Sequence, residues 1–253
     1  MPLLHSDKLL EPTGKDRARL GQINFVNCLP IVLPLTSGAV TIDADMSQDT
    51  PANLNAGYES GNLDLGAMSS FFYLSNEESL HLLPGLSIST NAAVGSVLFF
   101  SKGELKDGCR ISVPSSSATS VALLKLYLAK IFSIKANIVT DTAPDVAADG
   151  IDAALVIGDR ALTVDSAWSE FCNRTDLGQW WSTNFEAPMV FGLWAARKEW
   201  KVTREAQFEA ITESLISARD MGLTTLFPEV LIEAEKRTSL DVERLKRYFL
   251  EEL

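Results

Sequence analysis

Four serines and a threonine are packed between Pro114 and Val121: Ser115, Ser116, Ser117, Thr119 and Ser120. They run directly into an apolar series at helical spacing (Leu124, Tyr127, Leu128, Ile131). At the first turn of a helix, free N–H groups and hydroxyls converge where the helix dipole is positive. That chemistry suits a carboxylate or a phosphate. The same residues also serve as ordinary helix caps, so both readings stand. Asn27 lies between an apolar strand pattern and Pro30; it either caps a helix or hydrogen-bonds a ligand hydroxyl or carboxylate. Ser96 follows Gly95 in an apolar β-type run. A buried hydroxyl needs a partner, and backbone or a ligand in a cleft supplies it. Ser69 and Ser70 close the run Leu63-Asp64-Leu65-Gly66-Ala67-Met68. Asp159 follows Ile157-Gly158, as a catalytic carboxylate or a turn residue.

The rest of the composition narrows the chemistry. The histidines are His5 and His81, and His5 sits in a polar N-terminal stretch. A Ser-His-Asp triad or a multi-histidine metal site has almost no raw material. Cys28, Cys109 and Cys172 are odd in number and widely spaced, with no CxxC. Neither a disulfide framework nor structural zinc is expected, so any catalysis must run without a conventional histidine base. Acidic residues number 33 against 22 basic ones, a net charge of −11. That balance argues against nucleic acid, but a pocket with its own local field still admits a small anion. The longest apolar stretches fall short of the ~20 residues of a membrane span. The start, MPLLHSDKLLEPTGKDRAR, lacks the apolar core of a secretory signal. The expectation is a cytoplasmic protein with a disordered N-terminal tail and no membrane partner.

Strand, turn and helix patterns alternate from Arg19 onward. Strands are expected near residues 20–26, 40–46, 63–68, 87–101, 110–113, 137–140, 153–157 and 189–196, and helices from 30, 51, 121, 204 and 240. Asp49-Thr50-Pro51 is a strong helix start. This alternation gives an α/β fold with mainly parallel sheets. The polar link 102–108 divides it into two lobes. The boundaries read 1–18 as tail, 19–101 as the first lobe, 102–190 as the second, and 191–253 as a return to the first with C-terminal helices. Ligands of open α/β sheets sit beyond the carboxyl ends of strands. Asn27, Ser69, Ser70, Thr119, Ser120 and Asp159 are all placed there. The residues by themselves describe a two-lobed binder of a small anion, and they do not choose between carrier and enzyme.

An ordered set of motifs makes that choice. They are Ile23-Asn24-Phe25-Val26-Asn27-Cys28-Leu29-Pro30, Asp49-Thr50-Pro51 with Leu63-Asp64-Leu65-Gly66, Gly95-Ser96-Val97, and Ser117-Ala118-Thr119-Ser120-Val121-Ala122-Leu123-Leu124. Ala153-Ala154-Leu155-Val156-Ile157-Gly158-Asp159, Asp176-Leu177-Gly178 and Val190-Phe191-Gly192-Leu193-Trp194-Ala195-Ala196-Arg197 complete it. From about Arg19 to Phe249 the chain resembles the chorismate dehydratases of the futalosine route to menaquinone. The resemblance implies the two-lobed fold of type II periplasmic binding proteins, with the ligand cleft between lobes. It also implies removal of water from chorismate to give 3-[(1-carboxyvinyl)oxy]benzoate, with no metal or organic cofactor. By the same carry-over Asn27 and Ser96 are the expected catalytic residues. Thr119, Ser120, Ser117, Ser69 and Asp159 are the expected substrate-binding residues. The small-molecule substrate is the expected partner, and the protein is a monomer or homodimer.

Two alternatives stand beside this. One is a non-catalytic cytoplasmic binder of a small aromatic or dicarboxylate ligand on the same scaffold. The other is the sister family that makes a dihydroxynaphthoate later in the pathway, against which Asn27-Cys28-Leu29-Pro30 argues. The sequence departs from the family's pattern at residues 184–191, where Glu186 enters a stretch near the expected cleft. Its N-terminal tail is longer than the family's usual one, and it ends soon after Tyr248-Phe249.

Overall fold

A computed structural model describes residues 17–253. The expected tail, 1–18, lies outside the described residues except for its last two positions, and Ala18 already opens a strand. The chain first lays down β1 (Ala18–Ile23), α1 (Leu29–Thr36), β2 (Ala44–Asp49), α2 (Pro51–Glu59), β3 (Leu65–Ser69), α3 (Ser70–Ser75) and β4 (Leu80–Thr90). It then crosses to β5 (Val97–Ser101), β6 (Arg110–Pro114), α4 (Ala118–Ile131), β7 (Asn137–Asp141), β8 (Ala153–Ile157), α5 (Gly158–Ser169), β9 (Asn173–Asp176) and α6 (Leu177–Phe185). It returns through β10 (Met189–Arg197), α7 (Lys198–Thr203), α8 (Glu205–Gly222), α9 (Phe227–Thr238) and α10 (Val242–Arg247), and closes with a wide π-type turn, Tyr248–Glu252.

The result is a two-lobed α/β molecule with one five-stranded sheet per lobe, ordered β2-β1-β3-β10-β4 and β7-β6-β8-β5-β9. The sheets are mixed, where the sequence pattern implied mainly parallel ones. In the first, β1 runs parallel to β2 and β3, while β10 is antiparallel to both β3 and β4. In the second, β6 runs parallel to β7 and β8, and β5 is antiparallel to β8 and β9. The antiparallel members are the strands on which the chain enters the second lobe and returns from it.

The crossing points also differ from the polar link at 102–108. The apolar run 87–101 breaks at 91–96; its first part pairs with β10 and its second with β8 and β9. Val97–Ser101 therefore belongs to the second sheet, and Met189 and Val190 already belong to the first. The link at 102–108 is a surface loop inside the second lobe. Composition marks solvent exposure there, whereas long-range strand pairing decides lobe membership. Asp176 fixes the outward crossing. Its carboxylate accepts N–H bonds from Val94 and Gly95 as well as from Gly178 and Gln179 at the start of α6.

Local sequence explains the elements that shape the cleft. Thr50 caps α2 by accepting from the Asn53 N–H, with Pro51 at the first helical position. Ser69 caps α3 through the Phe72 N–H, and Ser117 caps α4 through the Ser120 N–H. The first lobe's core gathers Leu20, Leu65, Met68 and Trp194, whose indole N–H donates to buried Gln22 at 3.2 Å. The second is built on Phe99, Ile111, Leu124, Leu155 and Trp180. His81 stands edge-on to Phe208, a packing role. No described helix is long and apolar enough to cross a membrane.

Helix α8 packs on α1 through Gly222. A Cβ added there meets the Pro30 carbonyl oxygen at 1.9 Å, a backbone atom that cannot swing aside. Gly222→Ala is expected to destabilise the fold by roughly 1–3 kcal/mol, as overpacking does, read as a lower melting temperature. An unchanged melt means that α1 and α8 are less tightly apposed than described.

Candidate active site

A cleft with about 480 Å³ of empty space, its open mouth included, lies between the lobes. Asn27, Ser69, Ser96, Ser117 and Ser120 line it. Phe25, Ile88, Val97, Ile157 and Phe191 supply much of its apolar wall, and no charged side chain is among its described lining residues. The helices compensate: Pro51 opens α2, Ser69 caps α3, Ser117 caps α4 and Gly158 opens α5. All four of these residues line the cleft. N–H groups at such ends and the associated partial positive charge favour bound anions without a cationic side chain.

Each polar group is held by its own neighbours. Asn27 occupies a single 3₁₀ turn (Val26–Cys28) between β1 and α1, and its Oδ1 is buried with no hydrogen-bond partner among the described residues. A buried acceptor of this kind favours a ligand donor, because leaving it bare costs about 1–3 kcal/mol. Ser96 is 3% exposed, and its hydroxyl makes one long bond, 3.3 Å, to the Val94 carbonyl. Ser69 is fixed by Asn55, whose Nδ2 donates to Ser69 Oγ at 3.1 Å. Ser117 and Ser120 share a hydroxyl–hydroxyl bond of 3.0 Å. Gly158 has a positive φ of 58°, and a side chain there would press on the Phe25 ring at 3.1 Å. Glycine is therefore required both by conformation and by the ring that seals this wall.

Two of the expected binding residues do not line the cleft. Thr119 turns to the first lobe, where its hydroxyl accepts the Phe71 N–H at 3.0 Å and lies 3.3 Å from Ser70 Oγ. Ser70 is occupied as well, donating to the Val190 carbonyl. Asp159 lies behind the cleft, and its Oδ1 accepts the Val26 N–H at 2.9 Å across the lobe boundary. It thus supports the turn that carries Asn27. Both are inter-lobe fasteners, joined by a bond from the Ala52 N–H to the Ser116 carbonyl. Glu186 is exposed and caps α6 in a left-handed conformation, away from the cleft. Cys28 is wholly buried; burial and the Asp159 charge push its thiol up to about 12, so it is not a nucleophile. Sequence reasoning passed over Asp176 as an organiser of this region. Its signal was an Asp two residues before Gly178 at a helix start.

Asp159 carries a testable pH signature. Burial pushes its carboxyl above the ordinary value, opposed by the Val26 N–H and the charge of Arg237. A raised folded pKa means that the ionised form costs stability at neutral pH. That cost is relieved as pH falls through the folded pKa, and fully relieved below the ordinary carboxylate value. Asp159→Asn keeps the acceptor without the charge. Its melting temperature at pH 7 should equal or exceed the wild type's, the difference closing in acid. Asp159→Ala strands the Val26 N–H and should lose about 1–3 kcal/mol. Equal melting curves for wild type and Asp159→Ala would remove this fastener.

Comparison with known proteins places the molecule. The sequence model of a family described as menaquinone biosynthesis matches residues 18–252. A chorismate dehydratase of Thermus thermophilus is 33% identical over 201 residues, 74% of this chain and 71% of that one. Among solved structures, an Archaeoglobus fulgidus protein superposes with a TM-score of 0.71 at 22% identity, over 92% of this chain and 87% of the other. An alkanesulfonate-binding protein of Xanthomonas axonopodis pv. citri, bound to MOPS, gives 0.65 at 14% identity, over 92% and 83%. A Candida albicans protein with the generic periplasmic-binding-protein fold gives 0.63 at 10%, over 92% and 79%. These structures establish the fold as periplasmic-binding-protein-like, and the sequence match from residue 18 to residue 252 establishes the lineage: the chain belongs to the menaquinone biosynthesis family.

Proposed function

We propose that this protein is a chorismate dehydratase, a carbon–oxygen lyase that converts chorismate into 3-[(1-carboxyvinyl)oxy]benzoate and water. The observation that carries the reading is a cleft with no charged side chain among its described lining residues, holding Asn27 and Ser96 among helix N-termini. The sequence relative named as a chorismate dehydratase supports it.

The substrate is a dianion with an unsaturated, non-aromatic ring. The proton to be removed sits on the ring carbon that bears the enolpyruvyl ether. It is vinylogous to the ring carboxylate, so the electron pair left behind is delocalised. That pair then expels the neighbouring hydroxyl, and the ring becomes aromatic. The proton and the departing hydroxyl together make the water released. The substrate's own enolpyruvyl carboxylate serves as base in this proposal, which fits a cleft with no ionisable side chain among its described lining residues.

The protein's part is then positioning and charge stabilisation. Ser117 and Ser120, at the start of α4, are placed to hold one carboxylate. Asn27 and Ser96 would hydrogen-bond the reacting face and the departing hydroxyl. The walls around Phe25 and Phe191 take the ring and exclude water. The inter-lobe fasteners at Thr119 and Asp159 keep the geometry closed during the reaction.

Incubation with chorismate and mass analysis for a product lighter by one water tests the reading. Asn27→Ala and Ser96→Ala are each expected to lower kcat by roughly 10²-fold, the scale of a lost transition-state hydrogen bond, with native melting temperatures. Wild-type rates in both variants would take these residues out of the mechanism. Thermal stabilisation by chorismate without product would instead identify a binder on this scaffold.

A further inference from the structure

Five hydroxyls gather where the first turns of α3 and α4 meet: Ser69 and Ser70 from the first lobe, Ser117, Thr119 and Ser120 from the second. Each has one proton to give, and most of those protons are already placed. Ser70 donates to the Val190 carbonyl. It can therefore only accept from Thr119, whose hydroxyl is 3.3 Å away. The Ser117 proton goes to Ser120 Oγ at 3.0 Å. Two protons remain: among the described residues neither the Ser69 nor the Ser120 hydroxyl has an acceptor. Both residues are buried, and both line the cleft.

The direction of the Ser69 proton is set by Asn55, a buried residue of α2. The Ser69 backbone N–H can only donate, so the Asn55 atom that faces it at 3.4 Å must be the carbonyl oxygen Oδ1. That puts the amide Nδ2, which can only donate, against Ser69 Oγ at 3.1 Å. The Phe72 N–H donates to the same oxygen at 3.2 Å. A serine oxygen has two lone pairs, and both are now taken. Ser69 is left with a proton and no free lone pair. The sides toward α2 and α3 are occupied by donors, so that proton is directed to the cleft.

A hydroxyl held this way selects its ligand. It cannot accept from a ligand N–H or O–H, and it bonds best to an oxygen that carries charge and no proton, as a carboxylate oxygen does. Ser120 offers a second proton from the opposite lobe. The two hydroxyls serve one region of the cleft, because their sequence neighbours Ser70 and Thr119 are in contact. A carboxylate has two oxygens and about four lone-pair positions, enough to take both donors together.

We propose that Asn55 is a positioning residue that commits the Ser69 hydroxyl to donate into the cleft, where Ser69 and Ser120 hold one carboxylate of the substrate from opposite lobes. The identity of that substrate rests on the dehydratase reading; the direction of the Ser69 proton does not. Ser69→Ala is expected to raise KM for chorismate by roughly tenfold or more, the scale of a charge-assisted hydrogen bond, with kcat changed less than about twofold. Asn55→Leu keeps the shape without the amide and should raise KM by roughly three- to tenfold. Placed in the Ser69→Ala background, it should raise KM no further. An unchanged KM in either single variant overturns the proposal. So does an equal rise in both backgrounds, which would make Asn55 a support of the fold and nothing more. Asn55→Asp gives the readout that needs no substrate. Its second oxygen accepts where the amide donated, so the Ser69 proton should turn to it. The oxygen–oxygen distance in a crystal structure should then contract to under about 2.8 Å, and a longer one overturns the proposal. If Asn55→Asp does not fold, the KM cycle decides alone. Should the wild-type protein fail to convert chorismate, the dehydratase reading falls alone, and the distance in Asn55→Asp still decides the role of Asn55.

Discussion

A carboxylate entering the cleft meets no lysine and no arginine among the described residues that line it. Its charge has to be met by backbone dipoles, and that demand organises the rest of the molecule. A dipole is effective only near the end of its helix, within about the last turn. Helices α2, α3, α4 and α5 must therefore all end at the same place, two from each lobe. The parallel β-α order achieves this, because strands that run the same way start their following helices at the same carboxyl edge of the sheet. Two sheets of that kind bring their helix N-termini to a shared gap.

Such a gap holds charge well only when it is dry, and dryness requires the lobes to meet closely. The bonds that bring them together are made by residues of the same first turns. Thr119 lies one position from Ser120 yet fastens the lobes, and Asp159 lies one position from Gly158 and does likewise. One helix turn thus presents one residue to the cleft and its neighbour to the opposing lobe, and cleft lining and lobe closure are set by the same few residues. Uncharged walls also avoid competing acid–base groups, which suits a reaction whose substrate brings its own carboxylate.

Much of this was legible in the chain. The β-α units, their caps at Thr50 and Ser117, and the polar residues after strand ends could be read from spacing and residue type. The facing of Thr119 and Asp159 could not, because packing of α3 against α4 and of the Asn27 turn against α5 decides it. Strand β9, Asn173–Asp176, carries no apolar alternation and exists by pairing with β5. Helix α9 was hidden for a different reason. Its polar face is rich enough to mask the stripe of Val230, Leu231 and Ala234, although Pro228 marks its first turn. The lobe boundary was misplaced because a solvent-exposed loop and a domain junction have the same composition.

The insertion of β10 between β3 and β4 has a consequence for how the chain is made. Among the described residues β4 pairs only with β10, and β10 begins almost a hundred residues later. During synthesis the long β4 strand must therefore wait, unpaired, while the whole second lobe emerges. That lobe is continuous from β5 to α6 and holds its own core, so it has what it needs to fold first. The first lobe begins earlier and finishes later, its sheet closed by the returning strand and its back by α8. An exposed strand edge is the usual starting point of misassembly. For this protein the vulnerable interval is the time the ribosome spends between β4 and β10.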